Sequence, residues 1–557
     1  MAKNRAEQGG TGSNRKSGKF KFKKHAAIGA PAAEEDDHFL KRCFIDTGDL
    51  DVLRDVGNPR CLIVGRVGSG KSALVKKLAD LENHVIEISL YNLALEHIAN
   101  SQVLQFFLEA GVHLDLFYKA LWRHVFTVEL IRERYAIHTE ADQTSLFQKL
   151  WNMIPSNSRK RKQIEYLKTH AGSFWQETDI RIKEATRKTE KELKSSISGT
   201  LKGLITLSAG ETSKLTEEQK LEVRQRGQEV INQVKIKDLN ELFELLKTDI
   251  LTDEEKSYYI VIDKLDEDWA DEPLRYQLIK SLIETIRDFR HVPHVKLAIC
   301  IRTDLLERVY RTYGGGSVYQ EEKIRGLYLE LKWTRQQLID LLDKRIEQLA
   351  EDCYTKGVLT HADLLPPTPK KGIAAIDFIL DRTFNRPRDV IAFFNYCIGH
   401  SEGSPRISKS ALVLAEEDYS KDRLKSLADE WQKDYPYLLE FANIFKKRKH
   451  QFRLGDISDD EIGAFCLEFL TAHVAAEGSL AGFARQFFND HIDGTTFRQL
   501  VACVFYHVGL LGVKTESYTK VQWSAGQIRE IASSELNDET LCAVHKMFWS
   551  KLGIKQK

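Results

Sequence analysis

The sequence predicts an α/β fold with a parallel sheet, followed by a mainly helical C-terminal region. Two apolar runs without polar alternation, YYIVID (residues 258–263) and KLAICI (296–301), are typical of strands that are buried on both faces. A helical pattern separates them, and alternating strands and helices predict a doubly wound sheet. From about residue 320 onward the pattern is helical, as in RQQLIDLLDKRIEQLAE (335–351).

The stretch CLIVGRVGSGKSALVKKLAD, residues 61–80, combines an apolar strand, a glycine-rich loop and a helix. The loop at residues 65–72 has the pattern G-x-x-x-x-G-K-S, and the strand and helix around it are the context expected of a phosphate-binding P-loop. A chance match in a glycine-rich turn is the alternative, and this context argues against it. The sequence therefore predicts a P-loop NTPase core.

We expect the loop N–H groups and the positive end of the following helix to bind the phosphates of a nucleoside triphosphate. Lys71 is predicted to reach the β- and γ-phosphates, and Ser72 to ligate Mg²⁺. ATP is favoured over GTP because no guanine-reading N-K-x-D element stands where it would be expected. The residues predicted to contact the nucleotide are Gly65, Gly68, Ser69, Gly70, Lys71, Ser72 and Ala73.

A second nucleotide element, IVIDKLDEDW, ends the strand at residues 258–263. Asp263 occupies the position of a Walker B carboxylate, which would hold Mg²⁺ opposite Ser72. Many ATPases place a glutamate directly after this aspartate, but here that position is Lys264. Asp266 is therefore our first candidate for positioning the attacking water and Glu267 the second. Alternatively, both cap the following helix or pair with Lys264.

Several arginines could contact the γ-phosphate. Arg302, with Thr303 beside it, follows the KLAICI strand and is a candidate sensor, because ligands bind at the carboxyl edge of open α/β sheets. Arg386 and Arg388 open a helix in the helical region and could contact the phosphates from a lid, or form a surface or interdomain salt bridge. Structural salt bridges are the favoured interpretation of three further arginines, Arg308, Arg311 and Arg325.

Composition limits the partners and the compartment. The 557 residues are enough for roughly two to four domains, and the net charge of +1 provides no global attraction to nucleic acid or membranes. The eight cysteines are scattered singly, as in reduced cytosolic proteins. No signal peptide or membrane-spanning run is evident, so we expect a soluble protein of the cytoplasm that does not bind membranes.

The predicted domains follow from these patterns. Residues 1–27 form a basic, disordered arm, and residues 28–330 form the NTPase core. A charged insertion at about 150–245 is expected to form exposed helices, either a solvated arm or an arm that contacts a partner or nucleic acid. Residues 331–435 form a helical lid. Residues 436–557 are mainly helical, and HVGLLGVKTESYTKVQWS (507–524) resembles the helix and hairpin of a winged helix.

Together these motifs resemble a broad group of bacterial P-loop ATPases. The shared elements are AAExD, G-R-x-G-S-G-K-S-A-L, I-D-K-L-D-E-D-W, R-T-D and N-R-P-R-D, and they span roughly residues 28–435. The group is related to the initiator and helicase-loader ATPases, the STAND switch ATPases and the KAP NTPases. The resemblance implies an ASCE-type core with a helical lid and often a winged-helix tail. Its members commonly act as nucleotide-dependent switches, several of them in DNA transactions or anti-phage defence.

The sequence thus predicts a Mg²⁺-dependent switch ATPase that is coupled to nucleic acid. The alternative is a regulatory or scaffold ATPase that controls a separate effector protein or self-assembles, without binding nucleic acid. A nucleotide or small-molecule kinase is disfavoured, because the lid and the Walker B element do not fit one.

Overall fold

The computed structural model describes most of the chain. The described residues are 20–90, 101–136, 178–196, 216–233, 255–270, 272–313, 324–353, 359–367, 372–515, 520–524 and 531–556, with isolated residues between 145 and 253. The chain divides into two compact units. The sheet unit is Asp46–Leu331, and the helical unit combines Met1–Ile45 with Lys332–Lys557.

The elements are numbered in chain order. The strands are β1 (Leu62–Gly65), β2 (Val85–Glu87), β3 (Tyr258–Ile262), β4 (Val295–Arg302), β5 (Tyr328–Glu330), β6 (Gln451–Arg453), β7 (Leu511–Lys514) and β8 (Leu541–Val544). The helices of the sheet unit and the short helix before it are α1 (Asp37–Cys43), α2 (Asp49–Arg54), α3 (Lys71–Leu81), α4 (Gln102–Glu109), α5 (Asp115–Tyr135), α6 (Thr178–Ser196), α7 (Glu217–Gln233), α8 (Glu272–Phe289) and α9 (Thr303–Tyr313). Those of the helical unit are α10 (Arg335–Cys353), α11 (His361–Leu364), α12 (Ala375–Leu380), α13 (Pro387–Gly399), α14 (Lys409–Glu430), α15 (Leu438–Phe441), α16 (Asp459–Ala472), α17 (Ser479–Phe488), α18 (Gly494–Val508) and α19 (Trp549–Leu552).

The sheet unit contains a five-stranded parallel sheet in the order β2-β3-β4-β1-β5. β3 and β4 are buried along almost their whole length, as the two apolar runs predicted. β4 lies between β1 and β3, and Gly65 at the end of β1 pairs in register with Arg302 at the end of β4. This sheet and the mostly helical C-terminal region confirm the predicted fold class at the level of architecture.

In the described part of the charged insertion, α6 and α7 each bury one face and expose the other, which differs in part from the exposed helices predicted at about 150–245. Leu193 on α6 and Val223 on α7 are fully buried in the same hydrophobic core as β3 and β4. Thr186 and Thr189 lie on the same face of α6 as Leu193 and are also buried. The sequence pattern concealed this stripe because threonine does not count as apolar. Residues 150–177, 197–215 and most of 234–245 lie outside the described residues.

A buried lysine fixes the segment that enters β1. Lys296 on β4 donates hydrogen bonds from Nζ to the carbonyl oxygens of Val52 at 3.1 Å, Asp55 at 2.9 Å and Asn58 at 2.6 Å. Burial lowers the pKa of Lys296 to about 8. The three bonds satisfy one carbonyl in the last turn of α2 and two carbonyls after it, so the chain reaches β1 along a defined path.

The N-terminal segment belongs to the helical unit as far as residue 45, which differs from the predicted boundary at residues 27 and 28. Phe22 is buried, and its backbone N–H donates to the Ser404 carbonyl at 2.9 Å. The Gly403 N–H in turn donates to the Phe22 carbonyl at 2.8 Å. Burial of the aromatic ring holds residues that the basic composition alone assigned to a disordered arm. Residues 1–19 of that arm lie outside the described residues.

Residues 28–36 are tied to two helices of the same unit. Arg345 on α10 donates to the Ile28 carbonyl at 2.8 Å and pairs with Asp36 at 2.5 Å, and both members of the pair are buried. Asn395 on α13 donates to the Gly29 carbonyl at 2.9 Å. The A-A-E-x-D motif therefore contributes its last carboxylate to a buried ion pair.

The end of the helical unit carries a small antiparallel sheet in the order β6-β8-β7. After α18, β7 returns as a hairpin in which Val513 and Gln522 exchange backbone hydrogen bonds of 2.9 and 2.7 Å. This confirms the helix and hairpin predicted at residues 507–524. Among the described helices, none combines the length and the apolar character that crossing a bilayer requires.

We predict that His545 makes the helical unit sensitive to acid. Its half-buried ring contacts Phe384 and Trp523, and burial lowers its pKa to about 4. Its folded pKa lies below the ordinary value near 6.5, so stability is present above that value and is lost as the pH falls towards 4. Between pH 6.5 and 5 the loss is about 1–2 kcal/mol.

Urea unfolding of wild type and His545→Asn at the two pH values measures this effect. Asparagine keeps an acceptor for the Met547 N–H, which donates to His545 Nδ1 at 3.2 Å. The variant should lose less stability than wild type on acidification. An equal loss in both proteins would contradict the prediction.

Candidate functional site

The glycine-rich loop forms a tight connection between β1 and α3. Gly68 and Gly70 adopt φ values of 77° and 100°, which lie in the left-handed region that favours glycine. A Cβ on Gly65 would lie 2.4 Å from the Ser69 hydroxyl, so the start of the loop also requires glycine. The loop N–H groups precede an eleven-residue helix, and helix N-termini attract anions.

Lys71 folds back over its own loop. Its Nζ donates to the carbonyl oxygens of Gly65 at 2.9 Å and Arg66 at 3.0 Å. Burial lowers the pKa of Lys71, although the neighbouring Asp263 and Asp266 favour its charged form. The ammonium group is thus held at the mouth of the loop. The predicted contacts Ser72 and Ala73 lie in the first turn of α3 and are half-buried.

The loop after β3 carries the predicted carboxylates. Asp263 accepts a hydrogen bond from the Lys264 N–H at 2.8 Å, and Lys264 itself has φ of 62°. A non-glycine residue in the left-handed region is strained, and such strain is common at functional sites. The turn closes when the Glu267 N–H donates to the Lys264 carbonyl at 3.1 Å. Glu267 also lies 3.5 Å from Lys264 Nζ, which is the pairing considered as its structural alternative.

Arg302 is held by two carboxylates. Its Nε and one terminal nitrogen donate to the two oxygens of Asp304 at 2.9 and 2.8 Å. Its other terminal nitrogen contacts Asp266 at 3.2 Å. Asp304 is nearly buried and also pairs with Arg308 at 3.3 Å, whereas the Asp266 side chain is 37% exposed. Asp304 is therefore the fixed anchor of Arg302, and Asp266 is its exposed partner.

Four predicted residues meet at the carboxyl edge of the sheet. Lys71 interacts electrostatically with Asp263, Asp266 and Arg302, although the four residues come from α3, from the loop after β3, and from β4. The carboxyl ends of adjacent parallel strands lie at the same edge, which explains the meeting. Opposite charges concentrated at one sheet edge, next to a helix N-terminus, can bind an anion together with a cation.

Sequence reasoning missed two residues at this edge. Cys300 on β4 is fully buried, and burial together with the nearby Asp263 carboxylate raises the pKa of its thiol. Asp304 lies in the first turn of α9 and orients Arg302. The R-T-D spacing gave a signal for Asp304, but Cys300 looked like one more apolar position in a buried strand.

The arginines of the N-R-P-R-D motif have partners within the helical unit. Arg386 is buried, and its Nε lies 3.0 Å from Asp389, which favours the salt-bridge interpretation over a contact with the phosphates. Burial opposes ionisation of Asp389, but Arg386 and Arg423 hold its pKa below the usual value. Arg388 donates to the Pro31 carbonyl at 3.3 Å. A contact between Arg388 and a nucleotide remains a prediction.

Of the remaining arginines, Arg308 fits its structural interpretation, because it pairs with Asp304. Arg325 is exposed, and a structural salt bridge there stays a prediction. The side chain of Arg311 lies outside the described residues.

A metal at this edge would depend on few protein ligands. Among the described residues, no group of three or more His, Cys, Asp and Glu side chains could hold a metal ion. A magnesium ion commonly takes one or two protein ligands and completes its shell with phosphate oxygens and water. The hydroxyl of Ser72 and the carboxylate of Asp263 are donors of this type, so the residues fit Mg²⁺ delivered with a nucleotide.

Comparison with known proteins gives one match. Residues 336–428, which contain α11 to α13 and most of α10 and α14, match the model of a FunZ-associated C-terminal helical domain. No curated protein and no solved structure matches the chain. The resemblance to bacterial P-loop ATPases across residues 28–435 therefore remains a prediction.

We predict that Asp304 contributes more to stability than Asp266. Asp304→Asn removes a nearly buried charge from two arginines and should lower the free energy of unfolding by about 1–3 kcal/mol. Asp266→Asn removes an exposed partner and should cost less than about 1 kcal/mol. Urea unfolding of both variants provides the comparison. Equal losses would show that Arg302 has no preferred anchor.

Proposed function

We propose that the protein is a Mg²⁺-dependent switch ATPase that binds and hydrolyses ATP and is coupled to nucleic acid. The observation that carries the proposal is the meeting of Lys71, Asp263, Asp266 and Arg302 beside a glycine-rich loop at one sheet edge. The strand order supports it, because the strand that ends in Arg302 lies between the two strands that carry the nucleotide motifs. This is the arrangement implied by the resemblance to ASCE-type ATPases.

Each residue has a role in this proposal. The loop N–H groups would bind phosphate oxygens, and Lys71 would exchange its two loop carbonyls for the β- and γ-phosphates. Ser72 and Asp263 would hold Mg²⁺, which when bound neutralises the charge that develops on the phosphates.

Arg302 and Asp266 would form the nucleotide-sensitive pair. A γ-phosphate would compete with Asp266 for Arg302, while Asp304 keeps the guanidinium at the site. Asp266 would then be available to orient the attacking water. Since Lys264 replaces the glutamate common at that position, we expect slow hydrolysis, which suits a switch.

The nucleic-acid part of the proposal concerns the helical unit. We interpret residues 436–557 as a winged-helix-like module, because α18 is followed by a hairpin in a three-stranded antiparallel sheet. Such modules commonly bind DNA, and the cytoplasm would be the site of action.

We predict that ATP turnover depends on Lys71. Lys71→Ala should lower turnover on the order of 100-fold, because a fixed charge at the phosphates is lost. Lys77→Ala, on the same helix α3, is the matched control and should stay near wild type. Turnover is measured by phosphate release with and without single- and double-stranded DNA.

The outcomes separate the two candidate functions. DNA stimulation that disappears in Lys71→Ala supports coupling to nucleic acid. Turnover that depends on Lys71 but ignores DNA favours the regulatory or scaffold ATPase with a separate effector. If wild type does not bind ATP, or if wild type and Lys71→Ala bind ATP equally, the nucleotide site is not at this loop.

We predict that Asp266 rather than Glu267 orients the water. Asp266→Asn should reduce turnover on the order of 100-fold with ATP binding retained, because the amide is a poor proton acceptor. Glu267→Gln should change turnover only a few-fold, since Glu267 lies beside Lys264. Single-turnover hydrolysis and ATP binding are measured separately. The reverse order of effects would assign the role to Glu267.

A further inference from the structure

Charge is strongly segregated at the end of the helical unit. Residues 436–557 contain fourteen Lys and Arg and fourteen Asp and Glu, so this part of the chain is neutral as a whole. Two segments within it, 446–455 and 540–557, contain no Asp or Glu at all. Nine of the fourteen basic residues lie in these two segments: Lys446, Lys447, Arg448, Lys449, Arg453, Lys546, Lys551, Lys555 and Lys557.

The fold brings the two segments side by side. The Lys447 N–H donates to the Leu552 carbonyl at 2.9 Å, and the Lys555 N–H donates to the Arg448 carbonyl at 2.8 Å. Lys449 and Lys555 form a parallel β-bridge. Adjacent backbones in a β arrangement lie about 5 Å apart, so side chains that are distant in sequence share one surface.

Five exposed lysines define this surface, which we call the basic face: Lys446, Lys447, Lys449, Lys551 and Lys555. None of the five forms an ion pair with a residue that the structure describes. Other basic residues of the two segments are neutralised within the unit. Arg448 pairs with Glu461, Arg453 with Glu539 and Lys546 with Asp381.

The chemistry of the basic face selects a polyanion. The large apolar side chains of the two segments, such as Phe452, Leu552 and Ile554, are buried. Membrane-surface elements carry exposed apolar residues beside their charges, and protein interfaces centre on apolar or aromatic anchors. A surface with unpaired lysines and no exposed large apolar side chain binds phosphates through charge and counterion release.

We propose that the basic face binds the phosphate backbone of nucleic acid without sequence preference. This inference deepens the proposed function and rests on its nucleic-acid part, but it does not depend on ATP binding at Lys71. The lysines of the segments 446–455 and 540–557 would contact successive phosphates. Contacts to phosphates carry no sequence information.

The basic face is distinct from the hairpin after α18. The start of β6 pairs with the end of β8, since Gln451 faces Ala543. The end of β7, which leads into the hairpin tip, pairs with the start of β8, since Lys514 faces Leu541. The two features therefore lie at opposite ends of the small sheet, and lysine substitutions can separate them.

The test measures binding of the full chain to a fluorescent duplex of mixed sequence, without nucleotide, across a range of KCl concentrations. Each set of lysines is replaced by glutamine in one protein. The two basic-face variants carry Lys446→Gln, Lys447→Gln and Lys449→Gln, or Lys551→Gln and Lys555→Gln. The matched control, on the exposed surface of α14, carries Lys409→Gln, Lys421→Gln and Lys425→Gln, and the hairpin variant carries Lys514→Gln and Lys520→Gln.

The basic-face variants should raise the Kd at low salt about tenfold or more. The slope of log K against log salt should fall by about 0.9 for each phosphate that the variant no longer neutralises. The α14 control should match wild type in its Kd and in its salt slope. All variants should keep the wild-type circular dichroism spectrum. Lys71→Ala should bind the duplex with the same affinity as wild type. The test of the basic face therefore does not depend on whether the ATP-binding proposal is correct.

Four outcomes would overturn the proposal. The first is an equal loss of affinity in the basic-face variants and the α14 control. The second is loss of binding in the hairpin variant alone, which would place the nucleic acid on the hairpin. The third is equal, lysine-dependent binding of polyglutamate or of phosphatidylserine vesicles, which would assign the surface to an acidic protein or a membrane. Absence of duplex binding by wild type at low salt also rejects it.

Discussion

The candidate site depends on the parallel register of three neighbouring strands. β1, β4 and β3 end at the same edge, where Gly65 pairs with Arg302 and Ile262 with Ile299. A slip of one residue would turn every side chain of a strand to the opposite face, and the charged residues that follow the strands would no longer converge. The buried β4, with Lys296 fixing the entry to β1, stabilises this register.

The electrostatic balance of the edge explains why it suits a nucleotide with a metal ion. Lys71 and Arg302 face three carboxylates, those of Asp263, Asp266 and Asp304. A triphosphate would add further negative charge, which a divalent cation between Ser72 and Asp263 would offset. Arg302 pairs with the exposed Asp266 and with the nearly buried Asp304. A phosphate could replace the contact with Asp266, while the contact with Asp304 holds the guanidinium in place.

Charge is used differently in the helical unit. Its buried pair of Arg345 with Asp36 joins two segments of the unit, and the buried pair of Arg386 with Asp389 lies within one motif, so neither pair leaves a charge exposed. The basic face is the opposite case, because its lysines are exposed and its acid-free segments are joined by backbone hydrogen bonds. Local segregation of this kind is invisible in the net charge of +1, which indicated only that no global attraction to nucleic acid exists.

The sequence by itself determined the strands, the glycine-rich loop and the residues that follow the strands, because these depend on local patterns: buried apolar runs, glycines at positive φ and short spacings. Tertiary structure alone decided what lies far apart in sequence. Cys300 meets Asp263 only across neighbouring strands, and the threonine stripe of α6 is buried only because the core lies against it. Phe22 and the two acid-free segments likewise acquire their roles through long-range hydrogen bonds, which no local pattern records.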